Sequence, residues 1–127
     1  MPWMLSWLVA VVVVLAMNLI PPAVAASSQE LISQANELFK KHDFSSALSI
    51  CDKLVTADPK SSKAYAMRGV CHKKLGQFRK SVDDCSRSIE LDPKNALAYS
   101  TRSSAYGWLQ DFNKAMDDAT KAIELDA

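Results

Sequence analysis

From Ser28 onward, the sequence repeats itself with a period of 34 residues. An aromatic residue recurs at this interval as Phe44, Phe78 and Phe112. The same interval separates other identical residues, namely Tyr65 and Tyr99, Arg68 and Arg102, Leu75 and Leu109, and Cys51 and Cys85. Internal repetition with a period of about 20–50 residues is typical of proteins built from stacked, similar units. The sequence therefore predicts a chain of repeats in which each unit packs mainly on its neighbours.

Within each unit the spacing of apolar positions is helical and falls into two blocks. In the middle unit the blocks lie on either side of Gly76-Gln77, and within each block these positions are three or four residues apart. With 3 glycines and 5 prolines in 127 residues, the chain has few of the turn residues that a many-stranded β fold needs. We therefore predict an all-α chain of six helices, at 28–41, 44–57, 62–75, 78–91, 96–109 and 112–125.

Short polar residues stand where these helices should begin. Ser27, with Glu30 three residues later, predicts a capping box for the first helix. Four further residues are expected as N-caps of later helices, namely Asp43, Ser61, Asn95 and Asp111. Asp58-Pro59 and Asp92-Pro93 should end the second helices of two units, because a residue before proline is disfavoured in the α region.

These units resemble the tetratricopeptide repeat family, whose pattern is W-x2-L-G-x2-Y…A-x3-F…P. The middle unit aligns with it as Tyr65-x2-Arg68-Gly69-x2-His72…Ser81-x3-Cys85…Pro93. The third unit aligns from Tyr99 onward and has Ala127 in place of the proline. The resemblance implies an α-solenoid of three helix-turn-helix repeats, at 28–61, 62–95 and 96–127, with six antiparallel helices. Since glycine weakens a helix, Gly69 in a helix interior predicts a close contact with the paired helix.

The first 25 residues are different in composition from the repeats. No charged side chain occurs before Glu30, and Leu5 to Ile20 is almost entirely apolar. Pro21-Pro22 should stop a helix, and the Ala23-Val24-Ala25 sequence that follows is of the type cut by signal peptidase. We predict a signal peptide at 1–25 and an extracytoplasmic (periplasmic or secreted) protein. The alternative is an uncleaved membrane anchor at residues 5–20, because the apolar run is long for a signal core.

No arrangement of residues in the sequence favours catalysis, a cofactor or a metal site. No serine, cysteine or carboxylate is spaced to reach His42 or His72 on one helix face. Asp84 and Asp118 recur in step with Arg68 and Arg102, which indicates structural ion pairs between helices. A net charge of +1 argues against nucleic acid as a partner.

Three cysteines cannot all pair within one chain. Cys51 and Cys85 are repeat-equivalent, and we interpret them as small buried apolar residues. Cys71 should lie on a neighbouring helix, and an exported protein could oxidise one pair.

In the tetratricopeptide repeat family, the first helix of each unit lines a concave groove that holds an extended peptide. The positions that the resemblance places there are Asn36, Lys40, Met67, Val70, Lys74, Thr101, Ser104 and Trp108. Trp108 stands where the other units have lysine, so it is either a core residue or an anchor for a partner. The family's clamp for a chaperone C-terminal carboxylate would use Ile32, Asn36, Met67, Leu97 and Thr101. Only Asn36 has the required residue type, so that clamp is not expected.

Two kinds of function fit the sequence. The first is an exported, non-catalytic scaffold that binds a protein or an extended peptide in the groove. The second is a structural or assembly role through self-association or end-to-end stacking, with or without a membrane anchor. For the second, an apolar stripe on the last helix should be uncovered and support a weak homodimer through Met116, Ala119 and Ile123.

Overall fold

The computed structural model describes the backbone of residues 23–126 and the side chains from Ser28 to Asp126. Over this part of the chain it contains six α-helices and no strand. The helices are α1 Ala23–Lys40, α2 Phe44–Ala57, α3 Ser62–Lys74, α4 Phe78–Leu91, α5 Ala96–Trp108 and α6 Phe112–Asp126. The all-α prediction is confirmed, and helices α2 to α6 begin at the predicted residues and end within one residue of the predicted ends.

Helix α1 is the exception, because it begins at Ala23, five residues before the predicted start. Ser27 therefore lies inside the helix, and the predicted capping box with Glu30 is wrong. The preceding residues are alanine-rich, and alanine has the highest helix propensity of all residues, so the helix continues through them.

The predicted signal or anchor segment lies mainly outside the described residues. The expected cleavage position after Ala25 falls within α1, and residues 5–20 are not described. None of the helices that the structure describes is long and apolar enough to cross a membrane.

The predicted N-caps of the later helices are confirmed. The side-chain oxygens of Asp43, Ser61 and Asn95 accept hydrogen bonds from the backbone N–H groups three residues on, at 3.2, 3.1 and 3.3 Å. Asp111 accepts in the same way from the N–H of Lys114 at 3.4 Å. Each cap satisfies a backbone donor that the first turn of a helix leaves free, so these residues fix where the helices begin.

The helices pair into three hairpins, α1 with α2, α3 with α4, and α5 with α6, and α2 and α4 also pack on the helices that follow them. The first helices of the second and third units, α3 and α5, pack on each other, whereas α1 and α3 do not approach as closely. Met67 lies in the buried cluster at the first junction, and its repeat equivalent is the smaller Thr101.

Gly69 confirms the predicted close contact between α3 and α4. A Cβ atom at this position would lie 2.7 Å from Cys85 Sγ, closer than side-chain atoms can approach. The hydroxyl of Ser81 donates a hydrogen bond to the Gly69 carbonyl at 2.8 Å. The third unit has an equivalent hydrogen bond in which the first helix is the donor. There the Ser103 hydroxyl of α5 donates to the Ala115 carbonyl of α6 at 2.6 Å.

Candidate peptide-binding groove

The eight residues predicted for the groove lie on the first helices of the three units, α1, α3 and α5. Asn36, Lys40, Lys74, Ser104 and Trp108 are exposed, and Val70 is half-buried. Met67 and Thr101 are buried, with 4% and 2% of their surface exposed. These two side chains pack beneath the face and present almost no surface to a ligand.

Three of the predicted residues line one cleft between α3 and α5. Lys74, Ser104 and Trp108 enclose about 370 Å³ together with Lys73, Gly76 and Phe78. Lys73, Gly76 and Phe78 were not predicted as site residues. Phenylalanine occupies the position of Phe78 in every unit, and such a recurrence indicates a structural role in the repeat rather than a binding role.

Trp108 is an exposed side chain and not a core residue, because 71% of its surface is accessible. Its indole lies flat on the ring of Phe78, with ring centroids 5.5 Å apart and an interplanar angle of 7°. The stacking holds the indole in place on one side and leaves its opposite face open. A large apolar surface that is both exposed and held in place is suited to bind the side chain of a partner.

Two lysines give this cleft a positive charge. Burial and the neighbouring ammonium of Lys74 lower the pKa of Lys73. The Lys74 ammonium lies 5.8 Å from the ring centroid of Phe44. An anionic group entering the cleft would relieve the repulsion between the two ammonium groups, so the cleft favours acidic ligands.

The buried charges of the repeats are held in ion pairs between helices. Arg68 of α3 donates two hydrogen bonds to the Asp84 carboxylate of α4, each 2.8 Å long, and a third to Asp52 of α2 at 3.3 Å. His72 Nε2 lies 3.5 Å from the same Asp84 carboxylate, and His72 Nδ1 lies 2.6 Å from Gln77 Oε1. His72 is thus engaged within the structure and is not placed against a nucleophile.

The third unit has an equivalent network. Arg102 of α5 donates to both carboxylate oxygens of Asp118 in α6, at 2.7 and 2.8 Å. Its remaining terminal nitrogen donates to the hydroxyl of Ser86 in α4 at 3.1 Å. The predicted ion pairs are therefore confirmed, and each arginine also joins its own unit to the one before. No cluster of metal-ligating side chains occurs among the described residues.

Two family models of the tetratricopeptide repeat match the chain, at residues 62–95 and 96–127. Together they span more than half of it. The chain belongs to the tetratricopeptide repeat (TPR) family. A comparison with curated proteins finds no match.

Solved TPR structures have the same fold. The first TPR domain of Spaghetti (RPAP3) bound to the HSP90 peptide SRMEEVD is 26% identical, with 77% of this chain and 78% of that chain covered and a TM-score of 0.74. The TPR2B domain of yeast Sti1 in complex with pHsp70 is 25% identical, with coverages of 79% and 80% and a TM-score of 0.74. The TPR domain of Arabidopsis OM64 is 22% identical, with coverages of 79% and 83% and a TM-score of 0.76.

The positions of the TPR carboxylate clamp do not form a cationic site in this chain. Ile32 and Leu97 are apolar, and Met67 and Thr101 are buried. Asn36 is exposed on α1 and is the one residue of the clamp type. Two lysines, Lys73 and Lys74, lie instead at the α3–α5 cleft.

The outer face of α6 is exposed in the part of the chain that the structure describes. Met116 and Ile123 of α6 expose 68% and 71% of their surface. A shallow groove of about 540 Å³ between α5 and α6 is lined by Ser100, Ser103, Ala119, Ala122, Ile123 and Asp126. In the second unit the equivalent positions include Ala66 and Cys85, which are fully buried under Ala98 of the next unit.

Proposed function

We propose that this protein is a non-catalytic TPR scaffold that binds an extended peptide of a partner protein along the face formed by α1, α3 and α5. The observation that carries the proposal is Trp108, 71% exposed and stacked on Phe78 beside Lys73 and Lys74. TPR relatives with 25–26% identity are complexes with an HSP90 peptide and with pHsp70, which supports a peptide as the ligand.

The chemistry of the cleft narrows the class of peptide. An apolar or aromatic side chain fits against the open face of Trp108, and an acidic side chain fits near the ammonium groups of Lys73 and Lys74. Recognition through a C-terminal carboxylate is disfavoured, because Ile32, Met67, Leu97 and Thr101 replace the donors that such a clamp requires. We therefore infer an internal acidic segment with a large apolar residue as the ligand.

An array of extended peptides that combine acidic and aromatic residues, probed with the full chain, tests this function. The Trp108→Ala substitution should lower the affinity for the selected peptides about 30-fold, since truncation of an aromatic anchor typically costs about 2 kcal/mol of binding free energy. Phe112→Ala is the matched control, because Phe112 is also exposed and does not line the cleft. Equal affinities for the Trp108 variant and the native chain would contradict a peptide site at the cleft.

The lysines are tested by charge removal. Lys73→Gln and Lys74→Gln should each weaken binding of the acidic peptides and reduce its dependence on salt, because each removes one ammonium group from the cleft. The affinity of a neutral aromatic peptide should change little. Binding of acidic peptides that is independent of both lysines and of salt would place the site elsewhere.

We propose further that the protein acts outside the cytoplasm after cleavage near Ala25. The support is the charge-free apolar sequence followed by Pro21-Pro22 and Ala23-Val24-Ala25. N-terminal sequencing of protein from cell fractions tests this. A start at Ala26 in a soluble extracytoplasmic fraction is expected. An intact N-terminus in the membrane fraction would indicate the alternative, an anchor at residues 5–20.

An assembly role is the second candidate, and the exposed face of α6 favours it. The modest size of Ala119 limits the apolar area, so we expect weak association through Met116 and Ile123. Sedimentation of the full chain over a wide concentration range should show a dimer that Ile123→Lys abolishes and Trp108→Ala does not. A monomer at every concentration, with the amides of 112–125 as protected from exchange as those of 78–91, would contradict this role.

A further inference from the structure

Two cysteines face each other across the junction between the first and second repeats. Cys51 lies on α2 and Cys71 on α3, and their Sγ atoms are 3.8 Å apart. Both side chains are fully buried, and both thiols are free. The pair therefore joins two repeats at a point that solvent does not reach.

The second junction offers an internal comparison. Cys85 occupies the position of Cys51 one repeat later, and it too is fully buried. The residue equivalent to Cys71 in the third repeat is Ala105. A cysteine at the Cys51/Cys85 position of the repeat thus packs without a facing thiol at the second junction, whereas the first junction brings two thiols together.

The distance between the sulfurs is compatible with a covalent bond. A disulfide has an S–S distance of about 2.05 Å, so each sulfur needs to move by less than about 1 Å. Rotation about the Cα–Cβ bonds supplies a movement of this size.

We propose that Cys51 and Cys71 are a disulfide-forming pair that covalently joins the first repeat to the second in an oxidising compartment. The oxidant is a disulfide-bearing compound, either a small-molecule disulfide or a thiol–disulfide oxidoreductase. One cysteine thiolate attacks the oxidant's disulfide, forms a mixed disulfide and releases one thiol. The second thiolate then attacks the protein sulfur of the mixed disulfide and releases the other thiol. Two S–H bonds are lost, one S–S bond forms, and the oxidant takes up two electrons and two protons.

Oxidation of the folded chain should be slow, because thiolate is the reacting species. The hydrogen bond to the Cys71 thiol and burial both raise the pKa of Cys51. Thiolate formation and access of the oxidant therefore require the junction to open briefly.

Equilibration of the full chain with mixtures of oxidised and reduced glutathione tests the pair. After the remaining thiols are alkylated, the native chain should have lost two hydrogens, carry one alkyl group on Cys85 and give a linked Cys51–Cys71 peptide. The Cys85→Ala variant should form the same bridge. The Cys71→Ala variant, which copies Ala105 of the third repeat, should form no intramolecular bridge.

The equilibrium for bridge formation should be measured in the folded and in the urea-unfolded native chain. The comparison shows whether the fold brings the two cysteines together or whether they pair only because they are near in sequence. The equilibrium for bridge formation should favour the disulfide about tenfold or more in the folded chain, because the fold already holds the two sulfurs together. Since the two equilibria are linked, the bridge should raise the urea midpoint correspondingly. Equal equilibria in both states, or bridges that involve Cys85 as often as Cys71, would overturn the proposal. This comparison needs no variant, so it decides the question even if a substitution impairs folding.

Discussion

The contact between Gly69 and Cys85 makes a sharp prediction about how α3 and α4 pack. In the Gly69→Ala variant the new methyl group would lie 2.7 Å from Cys85 Sγ, where ordinary contacts begin at about 3.4 Å. Alanine favours the helix by about 1 kcal/mol, whereas overpacking typically costs about 1–3 kcal/mol. We expect a net loss of about 1 kcal/mol in the free energy of unfolding.

The Gly69→Ala/Cys85→Ala double variant shows whether the Cys85 sulfur causes the loss of stability in Gly69→Ala. Cys85→Ala removes it and alone should cost about 1 kcal/mol, since a buried atom is lost. With the sulfur gone, Gly69→Ala should instead stabilise the helix by about 1 kcal/mol. The third repeat has Ser103 and Ala119 at the positions equivalent to Gly69 and Cys85, so it combines a side chain at the first position with no sulfur at the second.

Urea unfolding of the native chain, the two single variants and the double variant completes a thermodynamic cycle. The coupling free energy should be about 2 kcal/mol, because the substitution at position 69 changes from unfavourable to favourable. Effects that add within about 0.5 kcal/mol would refute the reasoning, since independent sites behave in that way. In that case α3 and α4 would be free to separate and accommodate the methyl group.

Two further stability predictions follow from the polar contacts. Asp118→Asn should lower the free energy of unfolding by about 2–3 kcal/mol, because it weakens a largely buried bidentate pair with Arg102. Glu124→Gln, which affects an exposed pair, should cost less than about 0.5 kcal/mol in the same urea titration. Asn95→Ala should cost about 1–2 kcal/mol, more than Asp43→Ala, because Asn95 caps α5 and also donates to two serine hydroxyls. Equal losses at positions 95 and 43 would show that the serine contacts contribute nothing.

Most of the fold could be predicted from the sequence, because its determinants are local and occur in every unit. Phe78 and its equivalents mark the turns, and residues such as Ser61 and Asn95 act through N–H groups three residues away. The start of α1 was missed because it lies outside the repeat. There the helix propensity of an alanine-rich segment outweighed the cap offered by Ser27.

The site could be predicted only in part, because its geometry depends on contacts between units. A comparison of repeats aligns equivalent positions, whereas Trp108 and Phe78 stack although they occupy different positions of their repeats. Cys51 and Cys71 also occupy unlike positions. The burial of Met67 depends on the distance between α1 and α3, which no local pattern of the sequence specifies.

The arginine networks also bear on whether the three units could exchange places. Each arginine donates to an acceptor in the unit before it, and the acceptor is Asp52 at the first junction and Ser86 at the second. The first unit has Gln34 at the arginine position, so it offers an acceptor to its successor and no guanidinium to a predecessor. Copying that unit into the interior of the array would leave a junction without this bond. Growth of the array by duplication would therefore be favoured from the second or third unit rather than from the first.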